Sequence, residues 1–184
     1  MTDAAYDWSQ FHIRMYYLAP MNEVFRRFAT PDGLQSFFIY RAQHRSAEGI
    51  PRPGDAIVQA GDRYDWDYVH DYSHGGVFEA VEPNRYLRFS FGAMTVEIHF
   101  RELAEAIEVD LHQTNCATED PERAWQHLNC RSCWIYFLTN LRSILAGGPD
   151  VRDFDHPQWN DSVGIGFHPE AGPGAPRVKA AETT

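Results

Sequence analysis

The feature that most constrains this chain is a change of hydrophobic period. Between Tyr86 and His112 apolar and polar residues alternate. Leu87, Phe89 and Phe91 interleave with Arg88 and Ser90, Val96, Ile98 and Phe100 with Glu97, His99 and Arg101, and Ile107, Val109 and Leu111 with Glu108, Asp110 and His112. Period two puts every second side chain on one face, so these segments read as strands that each have one apolar side. Their closeness and short turns predict an antiparallel meander. Beyond residue 120 the period lengthens. Cys130, Trp134, Phe137, Leu138, Leu141 and Leu145 form a single helical stripe. Asp120 is the candidate cap, Pro121 the first helical residue, and Gly147-Gly148-Pro149 the stop. A sheet with one apolar face needs a cover, and this helix is the only segment long enough to cross it. A strongly curved sheet around one helix leaves space between them, so the pattern predicts a ligand cavity there.

Upstream, Phe11, Ile13, Met15 and Tyr17 alternate with His12, Arg14 and Tyr16, predicting a first strand. Two short helices follow. Pro20 suits the first turn of one, which carries Val24, Phe25 and Phe28. Thr30-Pro31 caps and starts the other, which carries Leu34 and Phe37. Arg41 to Pro53 reads as a strand end and a loop, and Ala56–Ala60 as a short strand. Tyr64, Trp66, Tyr68 and His70 form an aromatic face opposite Asp65, Asp67 and Val69. Gly75-Gly76 reads as a break before a strand over Val77–Glu82. The expected architecture is α+β: a curved antiparallel sheet of about six or seven strands around a long C-terminal helix, with two short helices after the first strand.

At 184 residues the length suits one domain. We place it at 1–147, with 148–184 as a C-terminal extension. Phe154, Trp159, Val163, Ile165 and Phe167 in that extension predict packing on the domain or on a second copy, which makes a homodimer an expectation. The stretch beyond Pro169 is expected to be mobile. Sixteen Lys and Arg stand against 26 Asp and Glu, a net charge of −10. Such a chain repels phosphate backbones and anionic bilayers, so nucleic acid is an unsuitable partner. No apolar run is long enough for membrane insertion, the N-terminus shows no secretory signal, and three cysteines make no disulfide framework. A cytoplasmic location is expected.

The order of these elements resembles the helix-grip fold of the START/Bet v 1-like (SRPBCC) superfamily. Within it, the chain is similar to the branch of activator of Hsp90 ATPase homologues. Three stretches carry the resemblance. They are Ala19-Pro20 through Val24-Phe25, Thr30-Pro31, Leu34 and Phe37-Phe38; Gly76-Val77 with Pro83-Asn84-Arg85-Tyr86-Leu87-Arg88-Phe89; and Trp134 followed by Leu138, Leu141 and Leu145. A Phe37-Phe38 pair stands where the family usually has a tryptophan, and Cys133 where a glycine commonly precedes the helix tryptophan. The resemblance implies binding of lipids, polyketides or hormones, polyketide cyclisation, or a co-chaperone role.

The expected function is binding of an apolar or aromatic small molecule, lipid- or polyketide-like, between the sheet and the last helix. The expected walls are Met15, Tyr17, Phe37, Trp66, Tyr68, Phe89, Phe91, Ile98, Phe100, Leu111, Trp134 and Leu138, with His70 and Gln113 as polar orienting groups. Two alternatives stand beside it: a cofactor-free cyclase or dehydratase using Tyr and His as acid and base, and a module that contacts an Hsp90-type chaperone. Cys130 and Cys133 lie inside the helix rather than at its N-terminus, so they read as packing residues rather than a redox pair. His70 and His74 are four apart but read as a strand end and turn rather than a helix, Asp67, Asp71 and His70 could meet a metal only in a loop, and no metal or cofactor is expected. Asp62, Asp65 and Asp67 read as a solvated acidic edge. No phosphate-loop, nucleophile-elbow or zinc-protease motif is present.

Overall fold

In a computed structural model, which describes residues 5–68 and 73–155, the alternating segments form one seven-stranded antiparallel sheet in the order β1-β7-β6-β5-β4-β3-β2. The strands are β1 (Phe11–Tyr17), β2 (Arg41–Arg45), β3 (Arg63–Asp67), β4 (Ser73–Glu82), β5 (Tyr86–Phe91), β6 (Met94–Glu102) and β7 (Ile107–Thr114). Helices α1 (Met21–Ala29) and α2 (Pro31–Gln35) follow β1, and α3 (Cys130–Leu145) comes last, entered through a π-helical turn at Ala124–Asn129. The expected α+β helix-grip architecture is observed. No helix among the described residues is long and apolar enough to cross a membrane.

Register aligns the apolar sides. Ile13 lies opposite Leu111, Leu111 opposite Ile98, and Ile98 opposite Leu87, so the inner face is a continuous apolar surface. Three buried polar contacts fix α3 against it. The Tyr17 hydroxyl donates to the Leu138 carbonyl at 3.1 Å, the Trp134 indole N–H to Gln113 Oε1 at 2.8 Å, and Asn140 Nδ2 to the Phe37 carbonyl at 3.0 Å. Thr30 caps α2 by accepting the Gly33 N–H at 3.0 Å, with Pro31 in the first helical position, as the sequence predicts.

Three local expectations are corrected. No strand forms at Ala56–Ala60, because the loop spends its donors elsewhere. Val58 N–H goes to the Ala29 carbonyl and Gln59 N–H to the Asp62 carboxylate, at 2.8 and 2.9 Å. Asp62 is not a solvated residue. It is 1% exposed and receives the Arg52 guanidinium at 2.7 and 3.0 Å. Gly75-Gly76 does not break the sheet but lies within β4. Gly76 is opposite Tyr64, whose ring crosses it to donate its hydroxyl to the Ser90 carbonyl on β5 at 2.6 Å. A Cβ on Gly76 would stand 2.5 Å from that hydroxyl, so the glycine makes room for the ring.

The segment after α3 is built onto the domain. Asn140 Oδ1 accepts the Val151 N–H, and the buried Arg152 guanidinium donates to Asp150, to the Ile39 carbonyl at 3.1 Å and to the Gln35 carbonyl at 2.9 Å. Phe154 stands beside Tyr40. Trp159, Val163, Ile165, Phe167 and the expected mobile tail lie outside the described residues. Arg152→Met keeps the packed stem but takes the guanidinium from Asp150 and strands the Ile39 and Gln35 carbonyls. It is expected to cost about 3 kcal/mol in urea denaturation, whereas the exposed pair partner Arg85→Met is expected to cost under about 0.5 kcal/mol.

Candidate functional site

The strands place the expected wall residues in two groups. One is closed core. Tyr17 is pinned to α3, Phe100 packs edge-on to Phe25 and Phe28 at 5.2 and 5.5 Å, and Phe37 meets Phe28 at 5.2 Å. Ile98, Leu111 and Leu138 are fully buried with them, and Met15 is partly buried against the same cluster. Helix α1 seals this end.

The second group gathers where the start of α3 faces the ends of β3, β4 and β5. Phe38 stacks on Trp134 at 4.7 Å and meets Trp66 at 5.7 Å, and Phe89 packs on Trp66 at 5.5 Å. Around this buried stack stand half-buried rings. Tyr68 lies 5.7 Å from Phe38, Phe137 lies 5.0 Å from Phe38, and Phe91 lies 6.0 Å from Trp134. His74 is half-buried 4.6 Å from Phe91. These rings make a buried aromatic cluster with a half-buried aromatic edge. His70 and Asp71 lie outside the described residues.

Gln113, the second expected orienting group, is tied up within the fold. It is fully buried, its Oε1 accepts from Trp134, and its Nε2 donates to the Gln126 carbonyl at 3.3 Å and to Met94 Sδ at 2.9 Å. Its polar atoms hold the helix tryptophan and the π-helical turn in place. π turns are uncommon and often mark functional positions. Here the turn also carries His127, whose ring is clamped by the Trp8 carbonyl and the Tyr6 hydroxyl, both at 2.9 Å.

Sequence reasoning missed Phe38 and Phe137 as lining residues and His44 altogether. Phe137 was legible as a member of the α3 stripe, three residues beyond Trp134. His44 alternates with Ala42 on a strand too short to declare its inner side. In the fold His44 is 2% exposed, and its Nε2 accepts the Trp66 indole N–H at 3.1 Å. An indole only donates, so the proton of neutral His44 sits on Nδ1. Burial pushes the His44 pKa down to about 4, against a weaker opposing pull from Asp62. Burial also lowers His74. Burial raises the Cys130 thiol to about 12, which suits a packing cysteine rather than a reactive thiolate.

A separate open groove of about 410 Å³ lies on the outer sheet face. Its cations are already matched. Arg14 pairs with Asp110 at 2.9 Å, Arg101 with Glu108 at 2.6 Å and Arg85 with Glu82 at 3.3 Å. It has the character of a charged sheet surface with cross-strand partners.

The comparisons agree with this fold. A family model described as "Activator of Hsp90 ATPase homolog 1-like protein" matches residues 18–146. No curated protein matches the sequence. Among solved structures, a Staphylococcus saprophyticus protein is 21% identical, with a TM-score of 0.62 over 78% of this chain and 96% of that one. The Aha1 dimer from Colwellia psychrerythraea is 13% identical, with a TM-score of 0.59 over 74% of this chain and 95% of that one. DynU16, a protein of the dynemicin biosynthetic locus, is 19% identical, with a TM-score of 0.61 over 79% of this chain and 50% of that one. At these identities the likeness is one of fold.

His44 gives the site a pH signature. Its ordinary value is 6.5 and its folded value about 4, so between those two values the unfolded chain binds the extra proton. Stability attributable to this ring is complete above pH 6.5 and is lost as pH falls toward 4, by about 3 kcal/mol in all. Chemical denaturation between pH 4 and pH 7 is expected to show that slope, and His44→Phe is expected to flatten it.

Proposed function

The chain belongs to the activator of Hsp90 ATPase homolog 1-like family, and from that footing we propose that it binds an apolar or aromatic small molecule, lipid- or polyketide-like, between the sheet and α3. One observation carries the proposal. Tyr68, Phe91 and Phe137 are left half-buried around the Phe38–Trp134 stack, at the end of the sheet that α1 does not seal. Large rings at a fold's edge are costly to leave in water unless something covers them. A flat guest that slid over Phe38 and Trp134 would cover all three. The π-helical turn beside Trp134 supports the same location. Trp66, Tyr68, Phe89, Phe91 and Trp134 would make the contacts. Met15, Tyr17, Phe37, Ile98, Phe100, Leu111 and Leu138 would shape the closed end behind them.

The second reading is docking to an Hsp90-type chaperone. It is favoured by the description of the family whose model matches. An Hsp90 ATPase rate unchanged by added protein would set that reading aside without touching the first.

The ligand reading predicts that native mass spectrometry of the purified protein shows a bound organic molecule, and that 9,10-anthraquinone quenches tryptophan fluorescence saturably. Phe137→Glu places a charge on the rim and is expected to weaken anthraquinone at least about tenfold, or about 1.4 kcal/mol, with little change in melting temperature. Absence of both a co-purified molecule and saturable quenching would overturn the reading.

A further inference from the structure

Among the described residues, two buried side-chain polar atoms lack a hydrogen-bond partner: His44 Nδ1 and His74 Nε2. Native interiors rarely leave such groups unsatisfied, and each exception calls for a missing partner. Here both exceptions are imidazoles on the inner sheet face. They stand on the two strands that flank β3, with His44 opposite Tyr64 and His74 opposite Trp66. Between them the Tyr64 and Trp66 rings stack at 3.8 Å. His44 also packs against Phe78 at 5.2 Å, and His74 against Phe91 at 4.6 Å.

The chemistry of these two atoms narrows the guest. The Trp66 indole fixes the proton of His44 on Nδ1, so that atom offers a donor and needs an acceptor. The Nε2 atom of His74 can donate or accept, according to tautomer. Burial keeps both rings neutral at pH 7. The one buried guanidinium among the described residues, Arg152, is fully committed to Asp150 and to the carbonyls of Gln35 and Ile39. Among the described residues no buried cation is left over for a carboxylate brought into this interior, so it would remain an uncompensated charge. A pure hydrocarbon would leave both nitrogens unpaired.

We infer that His44 and His74 are the specificity-determining residues of the proposed pocket, and that its ligand is an uncharged polycyclic aromatic molecule bearing carbonyl or phenol oxygens. The inference rests on the pocket reading above. His44 Nδ1–H donates to one oxygen of the guest, and His74 Nε2 bonds a second, with the aromatic rings of the wall against the body of the molecule. Fatty acids and plain hydrocarbons are poor guests for the reasons just given.

A matched set of probes tests this with the intact chain: 9,10-anthraquinone, anthracene and decanoate, each titrated by tryptophan fluorescence. Anthraquinone is expected to bind at least about tenfold more tightly than anthracene, in keeping with one or two hydrogen bonds that desolvated neutral groups make. Decanoate is expected to be the weakest. His44→Phe and His74→Phe are each expected to reduce the anthraquinone preference several-fold while leaving anthracene affinity nearly unchanged. A measurement on the unaltered protein guards against misfolded variants. Side-chain ¹⁵N shifts of His44 and His74 are expected to move on anthraquinone addition, while those of the outer-face His12, His99 and His112 stay fixed. Equal affinity for anthraquinone and anthracene, as when ordered water already satisfies both imidazoles, or unmoved His44 and His74 signals, would overturn the inference and leave the pocket standing. Failure of all three probes to bind, with no co-purified molecule, would overturn the pocket itself.

Discussion

The structure depends on one helix being held across the apolar face of a sheet far wider than itself. Hydrophobic contact supplies most of the attraction, but it is non-directional. A smooth rod on a smooth sheet could slide or rotate. The polar pins supply direction. Tyr17 reaches the Leu138 carbonyl, Gln113 takes the Trp134 indole, and Asn140 takes the Phe37 carbonyl on one side and the Asp150–Val151 segment on the other. Each contact is buried, so breaking one strands a group that water cannot reach. They lie along the middle of α3, from Trp134 to Asn140. The helix is thereby fixed in rotation and in distance from the sheet.

That fixed distance decides what the interior can do. At the α1 end, Phe25, Phe28, Phe37 and Phe100 interlock and the sheet is sealed. At the other end α3 enters through a π turn whose Gln126 carbonyl is tied to Gln113 and whose His127 is tied to the N-terminal Tyr6 and Trp8. The rings of Tyr68, Phe91 and Phe137 stay half-buried there.

Much of this was legible in the sequence, and the limits are physical. The alternation in β1, β5, β6 and β7 is strict because one face meets the core and the other meets water, so strand faces could be read directly. The resemblance in element order then pointed to the helix-grip arrangement. Reading failed where backbone groups are satisfied by something other than a ladder. Ala56–Ala60 alternates like a strand, yet its donors go to α1 and to Asp62. Gly75-Gly76 has the composition of a turn, yet the pair continues a strand because the Tyr64 ring needs the space above Gly76. Asp62 looks like one of three surface acids until Arg52, ten residues earlier in the chain, closes over it. Phe38 was visible only as half of a doublet, and which of two adjacent phenylalanines faces the mouth is settled by the helix end, not by periodicity.

The polar groups of the interior thus divide by what satisfies them. Gln113, Asn140, Tyr17, Asp62 and Arg152 have their bonds within the chain; Asp62 closes its own loop, and the others tie separate segments together. The two imidazoles beside the Tyr64–Trp66 stack tie nothing at their orphaned nitrogens. A sequence selected for stability alone would replace them with apolar residues of similar size, since an unpaired buried nitrogen is worse than none. Departures from such local rules gather at functional sites, where the missing partner arrives from outside. The placement here fits that logic: one orphan is deeply buried, the other is half-buried, and the Tyr64–Trp66 stack stands between them.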